Sequence, residues 1–515
     1  MKFNISKTID IKLNVRLISL GMYHEYVYEG PCRFVSGEKL KKEYDLKVNA
    51  QAHRLMVKAV EDTLPAEDVN LLEPMLVQYD ESFFIKDELL EEMATDLEDV
   101  DLFLFSAMSV GDILLEFAHR YKKPMIVLGM CLNTIATAAL LARGYEVYPV
   151  ETLADAAELM KILKTRKALA ETKILSLVRL NSNNAPGIMD SFVSLDEVTR
   201  KFGTRFTHYN VHEFFDQTKN VPPGTNPTTP GRDEFNINDE DEEKIIEMTV
   251  DFISDAAEND MKFEDILPSM RAHYLVNKVM ARLGCNAFTA PCFDVCSTRR
   301  FNEERFTFCL NHALNNEKGI VSSCEYDMCS VLSMVALSCI ARSAPYMGNC
   351  ITNPIKNGVI QAFSEMMFNP DSVAAAVREL GDVENLVLTF HAVPNRKLNG
   401  FLAHQAPYAI RPFTGSGWGA TVRYDFSRDN GRKITMCRFG PDCKTLFVGR
   451  GTIVGGIGYT DTNCSEGVFF EVSDTNDLFQ KISLVGNHQP LVYGDHVEAI
   501  AMLGRILGLE VITAQ

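Results

Sequence analysis

Three polar residues that lie far apart in the sequence share one chemistry. Glu325 stands in the segment CEYD, His391 follows the apolar run LVLTF, and His488 stands in the segment GNHQPLVYGDH. Carboxylate and imidazole groups are what a divalent cation such as Mn²⁺, Co²⁺ or Zn²⁺ takes from a protein. Each residue lies where a buried element gives way to a loop, and such loops carry reactive groups. Only the tertiary fold can bring them together, so their spacing alone does not establish a site.

The pattern that follows Glu325 predicts a helix over Asp327–Arg342. Glu325 is then expected on its first turn, where the helix dipole favours an anion. Asp327, two positions on, would point about 200° away from Glu325 on a helix, and we expect it to cap the helix or to support a ligand. The ordinary alternatives are a helix-start carboxylate without a catalytic role for Glu325, and a packed core histidine for His391.

Four segments together resemble one enzyme superfamily. They are VSSCEYDMCSVLSMVALSCIA, APYMGN, LVLTFHAV and GNHQPLVYGDHVEAIAMLGRILGLEVI. They are similar to the L-fucose isomerase and L-arabinose isomerase superfamily, and to its fucose-isomerase-like branch in particular. The resemblance covers the chain from about Val100 to the end. Its motifs are degenerate singly and moderately specific together.

The resemblance implies a divalent-metal-dependent aldose–ketose isomerase that works through an enediol. Glu325 and His488 would hold the metal, for which Mn²⁺ is expected. Asn349 or His391 would complete the ligand set, and Glu325 would move the proton. The substrate would be a monosaccharide of the fucose or arabinose type or a modified, anionic sugar. The resemblance also implies a homo-oligomer, a trimer or a hexamer.

The sequence departs from the family pattern at Asn349. The family has an acidic residue there, which serves as second metal ligand and as acid/base. An amide oxygen can bind a hard cation, but it carries no charge and exchanges no proton near neutral pH. Three alternatives stay open. The metal persists with weaker binding, or Asp327 or Glu365 substitutes, or the protein is a sugar-binding or regulatory protein on an isomerase scaffold.

Four further residues are candidates for contact with the substrate. Trp418 in GSGWGATV could stack on a sugar, or plug the end of a β-barrel. Asn487 could bond a hydroxyl group, and His24 follows the first predicted strand. Arg300, in the pair Arg299-Arg300, could hold an anionic substituent, although a solvated surface charge is the commoner role for such a residue.

Composition excludes several classes of protein. The chain has 515 residues, a charged fraction of 23% and a formal net charge of −18. That charge argues against nucleic acid, because binding phosphates requires a basic face. The start, MKFNISKTID, predicts no signal peptide, and no apolar stretch is long and uninterrupted enough for a membrane span.

The cysteines indicate a reducing compartment. Thirteen of them, an odd number, lie mostly in apolar contexts, which predicts free thiols and a cytoplasmic location. Six are grouped in the sequence, and both a structural zinc site and simple buried packing stay open for them, with packing favoured because no CxxC pair exists. These six are Cys285, Cys292, Cys296, Cys309, Cys324 and Cys329.

The order of elements predicts an α/β protein. Apolar runs such as KLNVRLISL, VDLFLFSAM, KPMIVLG and YEVYPV alternate with helical patterns, which is typical of parallel, doubly wound sheets. From about Asp371 onward the alternation is of the β type, in segments such as VENLVLTFHAV, ATVRYDF and KISLVGNH, and a helix over Val497–Leu507 follows. We therefore expect two flavodoxin-like doubly wound α/β domains, residues 1–172 and 173–345, the second carrying the CEYD helix, and a β-rich C-terminal domain, residues 346–515.

Overall fold

The computed structural model describes most of the chain. The described residues are 3–27, 29, 35–80, 86–106, 111–129, 134–178, 191–219, 233–292, 295, 299–356, 359–360, 367–463 and 465–514. They form two compact units, the first Asp10–Lys164 and the second Met1–Ile9 with Thr165–Gln515. The chain passes from the first to the second within one helix. The predicted borders at 172/173 and 345/346 remain a prediction.

The first unit is built on a parallel sheet. Its strands are β1 (Leu13–Tyr23), β2 (Val69–Leu71), β3 (Met75–Asp80), β4 (Leu102–Ser106), β5 (Met125–Leu128) and β6 (Val147–Val150). The order is β2-β1-β4-β5-β6, with β3 also paired to β1, and every pairing is parallel. The helices are α1 (Lys42–Thr63), α2 (Asp87–Met93), α3 (Gly111–Tyr121), α4 (Thr134–Ala142) and α5 (Leu153–Glu171), which continues past Lys164.

The second unit contains a second parallel sheet with the order β11-β10-β7-β8. Its strands are β7 (Lys173–Val178), β8 (Arg205–Asn210), β10 (Ala287–Thr289) and β11 (Val321–Ser323), and a short strand β9 (Glu258–Asn259) precedes β10. The helices of this region are α6 (Leu195–Phe202), α7 (Val211–Gln217), α8 (Asp239–Ser254), α9 (Phe263–Leu283), α10 (Arg300–Glu304), α11 (Cys309–Glu317) and α12 (Met328–Ala341).

A largely antiparallel sheet follows in the same unit. Its strands are β12 (Asn349–Thr352), β15 (Leu386–Phe390), β18 (Lys433–Phe439), β19 (Thr445–Ile457), β20 (Gly467–Glu471), β21 (Leu491–Tyr493) and β22 (Glu510–Ala514). The order is β12-β15-β20-β19-β18-β21, and β22 pairs with β19 in parallel. The remaining elements are the hairpin β13 (Ile355–Lys356) and β14 (Val359–Ile360), strands β16 (Ala409–Pro412) and β17 (Ala420–Arg423), and helices α13 (Pro370–Leu380), α14 (Thr475–Ile482) and α15 (Val497–Ile506).

Helix α12 joins the two sheets of the second unit. It packs against β10 and β11 on one side and against β18 and β21 on the other. Every residue from Met328 to Ile340 is buried, as expected for a helix that is apolar all round. The start of α12 therefore lies where the carboxyl end of the parallel strand β11 meets the antiparallel sheet.

The structure confirms a mixed α/β protein with parallel sheets and an antiparallel one. One local prediction was wrong, and one strand was not predicted. The segment KISLVGNH, predicted as β, begins inside helix α14, because Asp474 caps that helix by accepting hydrogen bonds from the backbone N–H groups of Asn476 and Asp477. Strand β22, which follows the last helix, was missed. Among the described residues no helix is both long and apolar enough to cross a membrane.

Candidate metal centre

Glu325 lies in a strained turn and not on a helix. Glu325 and Tyr326 have φ angles of 59° and 58°, a left-handed conformation that costs about 1–3 kcal/mol per residue and occurs preferentially at functional sites. Helix α12 starts later, and Asp327 is its N-cap, accepting a hydrogen bond from the backbone N–H of Ser330 at 2.9 Å. The expected cap is confirmed, but the expected place of Glu325 on the first helical turn was wrong.

The turn brings the three candidate residues of the distant segments together. The Oε1 atom of Glu325 is 3.3 Å from Nε2 of His391, and its Oε2 atom is 3.2 Å from Nε2 of His488. The three residues are 5%, 2% and 0% exposed. The site is therefore a buried carboxylate held between two imidazoles.

The APYMGN segment holds the two histidine-bearing segments side by side. The hydroxyl of Tyr346 accepts a hydrogen bond from the backbone N–H of His391 at 2.7 Å. Two residues on, the carbonyl of Gly348 accepts one from the backbone N–H of Gln489 at 2.8 Å. Asn349 pairs with Phe390 in the sheet and forms a bridge with His488. The motif thus fixes the spacing of the two imidazoles through the backbone.

The hydrogen bonds give the two imidazoles different tautomers. His488 Nδ1 is 2.9 Å from Asp327 Oδ2, and a carboxylate only accepts, so the proton is on Nδ1 and the lone pair of the neutral ring is on Nε2. His391 Nδ1 accepts from the backbone N–H of Ala392 at 3.1 Å, so its proton is on Nε2 and points at Glu325. This pattern favours His488 as a cation ligand and His391 as a donor that orients Glu325.

Arg438 completes the electrostatics of the site. Its guanidinium donates to Asp327 Oδ2 at 2.8 Å and to the carbonyl oxygens of Val485 at 2.7 Å and His488 at 3.0 Å. Arg438 and Asp327 are both fully buried. Asp327 is therefore a bridge between a permanent cation and the imidazole of His488, which is the carboxylate–histidine arrangement that orients ligands in metal sites.

The charges of the cluster shift its pKa values in a consistent way. Burial opposes ionisation of Glu325, but the hydrogen bonds from His391 and His488 outweigh it and hold the pKa of the carboxyl well below its usual range. Burial likewise opposes the charge of Asp327, and Arg438 with His488 lowers its pKa. Burial disfavours the imidazolium of His488, yet the two carboxylates raise its pKa to about 9. Both carboxylates are thus ionised at neutral pH, and without a cation the ring of His488 carries a proton on each nitrogen. A cation bound at Nε2 would displace the proton there and leave the neutral ring described above.

The donor set fits a divalent cation. Oxygen and nitrogen ligands that lie about 2.1 Å from one ion at angles of about 90–110° are about 3.0–3.5 Å apart, and the Glu325 Oε2 to His488 Nε2 distance of 3.2 Å falls within that range. Ligand atoms of Cys324, Glu325 and His391 also lie within 4.8 Å of one another. Glu325 and His488 are the residues that would hold the cation, with Asp327 orienting the imidazole.

Asn349 and Asn487 are near the centre but bind each other. The Asn487 Nδ2 group donates to Oδ1 of Asn349, and the backbone N–H of Cys350 donates to the carbonyl of Asn487. Two residues were proposed as substitutes for the missing acid. The carboxylate of Asp327 already contacts Arg438 and His488, and Glu365 lies outside the described residues.

The other predicted substrate residues lie in different surroundings. Trp418 is 8% exposed and packs beside Phe413 in the apolar core around α9. Arg300 is 3.2 Å from Glu304 and 3.7 Å from Asp216. His24, in the first unit, is 3.0 Å from Asp45. Their roles toward a substrate stay predictions.

A separate cavity of about 650 Å³ occurs in the second unit. Its lining includes His273, Tyr274 and Lys318 and shares no residue with the Glu325 cluster. The Glu325 cluster is therefore separate from this cavity.

Sequence reasoning missed Arg438 altogether. The available signal was its place in KITMCRF, where a charge interrupts a strand whose residues Ile434 to Phe439 are all buried. A buried charge requires a partner, and the sequence had already singled out Asp327 as a carboxylate near the site.

Comparison with known proteins gives little information. No protein-family model matches the sequence, and no curated protein matches it. Among solved structures the chain is similar to the Ca. Korarchaeum cryptofilum dinucleotide forming acetyl-coenzyme A synthetase 1. The apo form is 15% identical with a TM-score of 0.19, over 64% of this chain and 66% of that one. The complex with phosphate and ADP is 13% identical with a TM-score of 0.18, over 64% and 65%. The match spans slightly less than two thirds of that protein, and such TM-scores carry no inference.

Proposed function

We propose that this chain is a divalent-metal-dependent aldose–ketose isomerase acting on a monosaccharide of the fucose or arabinose type or on a modified, anionic sugar. The observation that carries the proposal is the contact of Glu325 with both His391 and His488 at 3.2–3.3 Å, although the three come from distant segments. The proposal includes two flavodoxin-like doubly wound domains, a β-rich C-terminal domain, a trimer or hexamer, and a cytoplasmic location.

The residues of the candidate metal centre would supply the metal ligands and the base that such a reaction needs. A divalent cation, for which we propose Mn²⁺, would polarise the carbonyl and hydroxyl oxygens at C1 and C2 of the open-chain sugar and make a carbon-bound proton acidic. Glu325 would take that proton and return it to the neighbouring carbon of the enediol. It is ionised at neutral pH, so its carboxylate has a lone pair that can accept that proton. His391 would orient it through Nε2–H, and burial would exclude water.

Replacing the shared carboxylate tests the proposal. Glu325→Gln keeps the shape of the side chain but removes the charge, so Mn²⁺ affinity is expected to fall at least about 10–100-fold, and proton exchange into a sugar from D₂O is expected to stop. Manganese titration and NMR of the sugar, over a panel that includes sulfonated and phosphorylated aldoses, are the measurements. The matched control is Glu317→Gln, which removes another buried carboxylate, the partner of Arg396, and should leave both properties intact. Unchanged Mn²⁺ affinity in Glu325→Gln would refute the proposal.

The second candidate is a sugar-binding or regulatory protein, and Asn349 favours it. Asn349→Asp restores the acid of the family pattern, and the new carboxylate can still accept the hydrogen bond from Asn487. If the natural protein is an isomerase that works without this acid, the variant should change the exchange rate less than about tenfold. Tight sugar binding without exchange in the natural protein, and a large gain of exchange in the variant, would instead identify a binding protein.

A further inference from the structure

A second cluster of ligand-type atoms lies beside the first. The sulfurs of Cys292 and Cys324 and a ring nitrogen of His312 all lie within 4.8 Å of one another, and the two sulfurs are 3.3 Å apart. Cys324 and His312 are buried, and Cys292 is half-buried. Cys296, another cysteine of the group noted in the sequence, lies outside the described residues.

The parallel sheet explains why these residues meet. Strands β10 and β11 are neighbours in parallel register, with Thr289 opposite Ser323. Cys324 directly follows β11, and Cys292 follows β10 after a short turn. Residues that follow adjacent parallel strands come together at the carboxyl edge of a sheet. His312 reaches the same edge from α11, which packs against β11.

The imidazole of His312 has one nitrogen without a partner among the described residues. Its Nδ1 is 2.8 Å from Ser322 Oγ, whereas its Nε2 is buried and has no hydrogen-bond partner. An unsatisfied buried polar atom costs about 1–3 kcal/mol. Simple packing of the cysteines leaves this cost unexplained, whereas a cation bound by Nε2 would remove it. The Ser322 contact would then orient the ring as an outer partner of the site.

We propose that Cys292, Cys324 and His312 bind a zinc-type cation through two thiolates and Nε2. Two thiolates and one imidazole suit Zn²⁺, with one coordination position left open. Tetrahedral coordination with Zn–S bonds of about 2.3 Å separates two sulfurs by about 3.8 Å, so the thiols need to part by only about 0.5 Å, and they release their protons as the ion binds. The site adjoins the Glu325 cluster, because Cys324 also lies within 4.8 Å of Glu325 and His391. None of its three ligands is a residue that would hold the isomerase metal, and this inference does not depend on the isomerase proposal. Because Cys324 precedes Glu325, the bound ion would also fix the strained turn.

Cobalt spectroscopy tests the site independently of any activity. The full chain, reduced and freed of metal with a chelator, is titrated with Co²⁺. Thiolate ligands give sulfur-to-cobalt charge-transfer absorption, which carboxylate and imidazole ligands do not. We expect this absorption in the natural protein, and its displacement by Zn²⁺. Cys292→Ser should weaken binding at this site more than about tenfold, since even outer partners are worth about 10–100-fold.

Two control variants show whether the absorption arises at this site. Cys339→Ser removes a buried thiol that bonds the carbonyl of Thr8 elsewhere in the unit, and it should keep the absorption. Glu325→Gln should keep it too, because the substitution leaves all three proposed ligands in place. The proposal is overturned if the folded natural protein gives no charge-transfer absorption, if Cys292→Ser leaves the absorption unchanged, or if mass spectrometry finds a Cys292–Cys324 disulfide in place of bound metal.

Discussion

Asp327 is the residue on which the electrostatics of the site depend. Its carboxylate faces Arg438 and His488, and all three residues are fully buried. We expect Asp327→Asn to cost about 3–5 kcal/mol of unfolding free energy, because it leaves the Arg438 guanidinium as an uncompensated buried charge. It should also lower cation affinity about 10–100-fold by releasing the ring of His488. Denaturant unfolding and metal titration measure the two effects.

A double variant separates the two effects. Asp327→Asn combined with Arg438→Met removes both members of the buried pair and should recover much of the lost stability. The affinity for a cation should stay low, since the partner of His488 Nδ1 is still absent. A double variant that recovers affinity along with stability would show that Asp327 acts only through folding.

At the scale of residues, the sequence predicted which types of residue form the site but not how they are arranged. Glu325, His391 and His488 could be selected because carboxylate and imidazole share a preference for the same cations. Their contact could not be derived, since it depends on the left-handed turn at Glu325 and Tyr326, which no pattern of apolar residues encodes. Asp327 was expected to cap the helix or to support a ligand, and it does both, since it caps α12 and contacts His488.

At the scale of elements, Gly348 controls how closely two strands approach. A Cβ atom at this position would meet backbone atoms of Phe390 at 2.7–2.9 Å. Phe390 directly precedes His391, so Gly348→Ala must shift the end of β15. We expect a loss of about 1–3 kcal/mol of stability, the usual cost of overpacking, and weaker cation binding because the imidazole of His391 moves away from Glu325.

Gly415→Ala is the matched control for the element-scale prediction. A Cβ atom there meets nothing within 4 Å, so stability and metal affinity should be unchanged. Thermal unfolding and metal titration of both variants provide the measurements. If Gly348→Ala binds Mn²⁺ as the natural protein does, the close approach of these strands does not position the site.

Elements with an uninterrupted apolar pattern were the ones that sequence could predict. Strands β4, β5 and β6 lie in the runs VDLFLFSAM, KPMIVLG and YEVYPV. Strands β4 and β5 are almost entirely buried, and buried parallel strands are apolar on both faces. Helix α14 was missed because its identity depends on the cap at Asp474, and a capping signal is short. The pairing of β22 with β19 joins distant parts of the chain, and local patterns carry no information about such pairing.

At the scale of the whole molecule, buried histidine makes stability depend on pH. His273 is 1% exposed and lies between Asn311 and Lys318, with Nδ1 3.0 Å from Asn311 Oδ1 and Nε2 3.2 Å from Lys318 Nζ. Burial, with the adjacent Lys318 charge, lowers the pKa of His273 well below 6.5. Once the pH falls below 6.5, the unfolded chain therefore binds a proton at His273, whereas the folded protein does not.

The sign of this difference predicts loss of stability in acid. A lowered folded-state pKa contributes stability that is present above the unfolded pKa and is lost as the pH falls toward the folded pKa, with a slope of at most about 1.4 kcal/mol per pH unit. His273→Gln keeps a polar side chain but cannot take up the proton, so its unfolding temperature should fall less than that of the natural protein between about pH 7 and pH 5. His404→Gln removes an exposed histidine and should follow the natural protein throughout. Parallel curves for the natural protein and His273→Gln would mean that this imidazole is not the group that couples folding to pH.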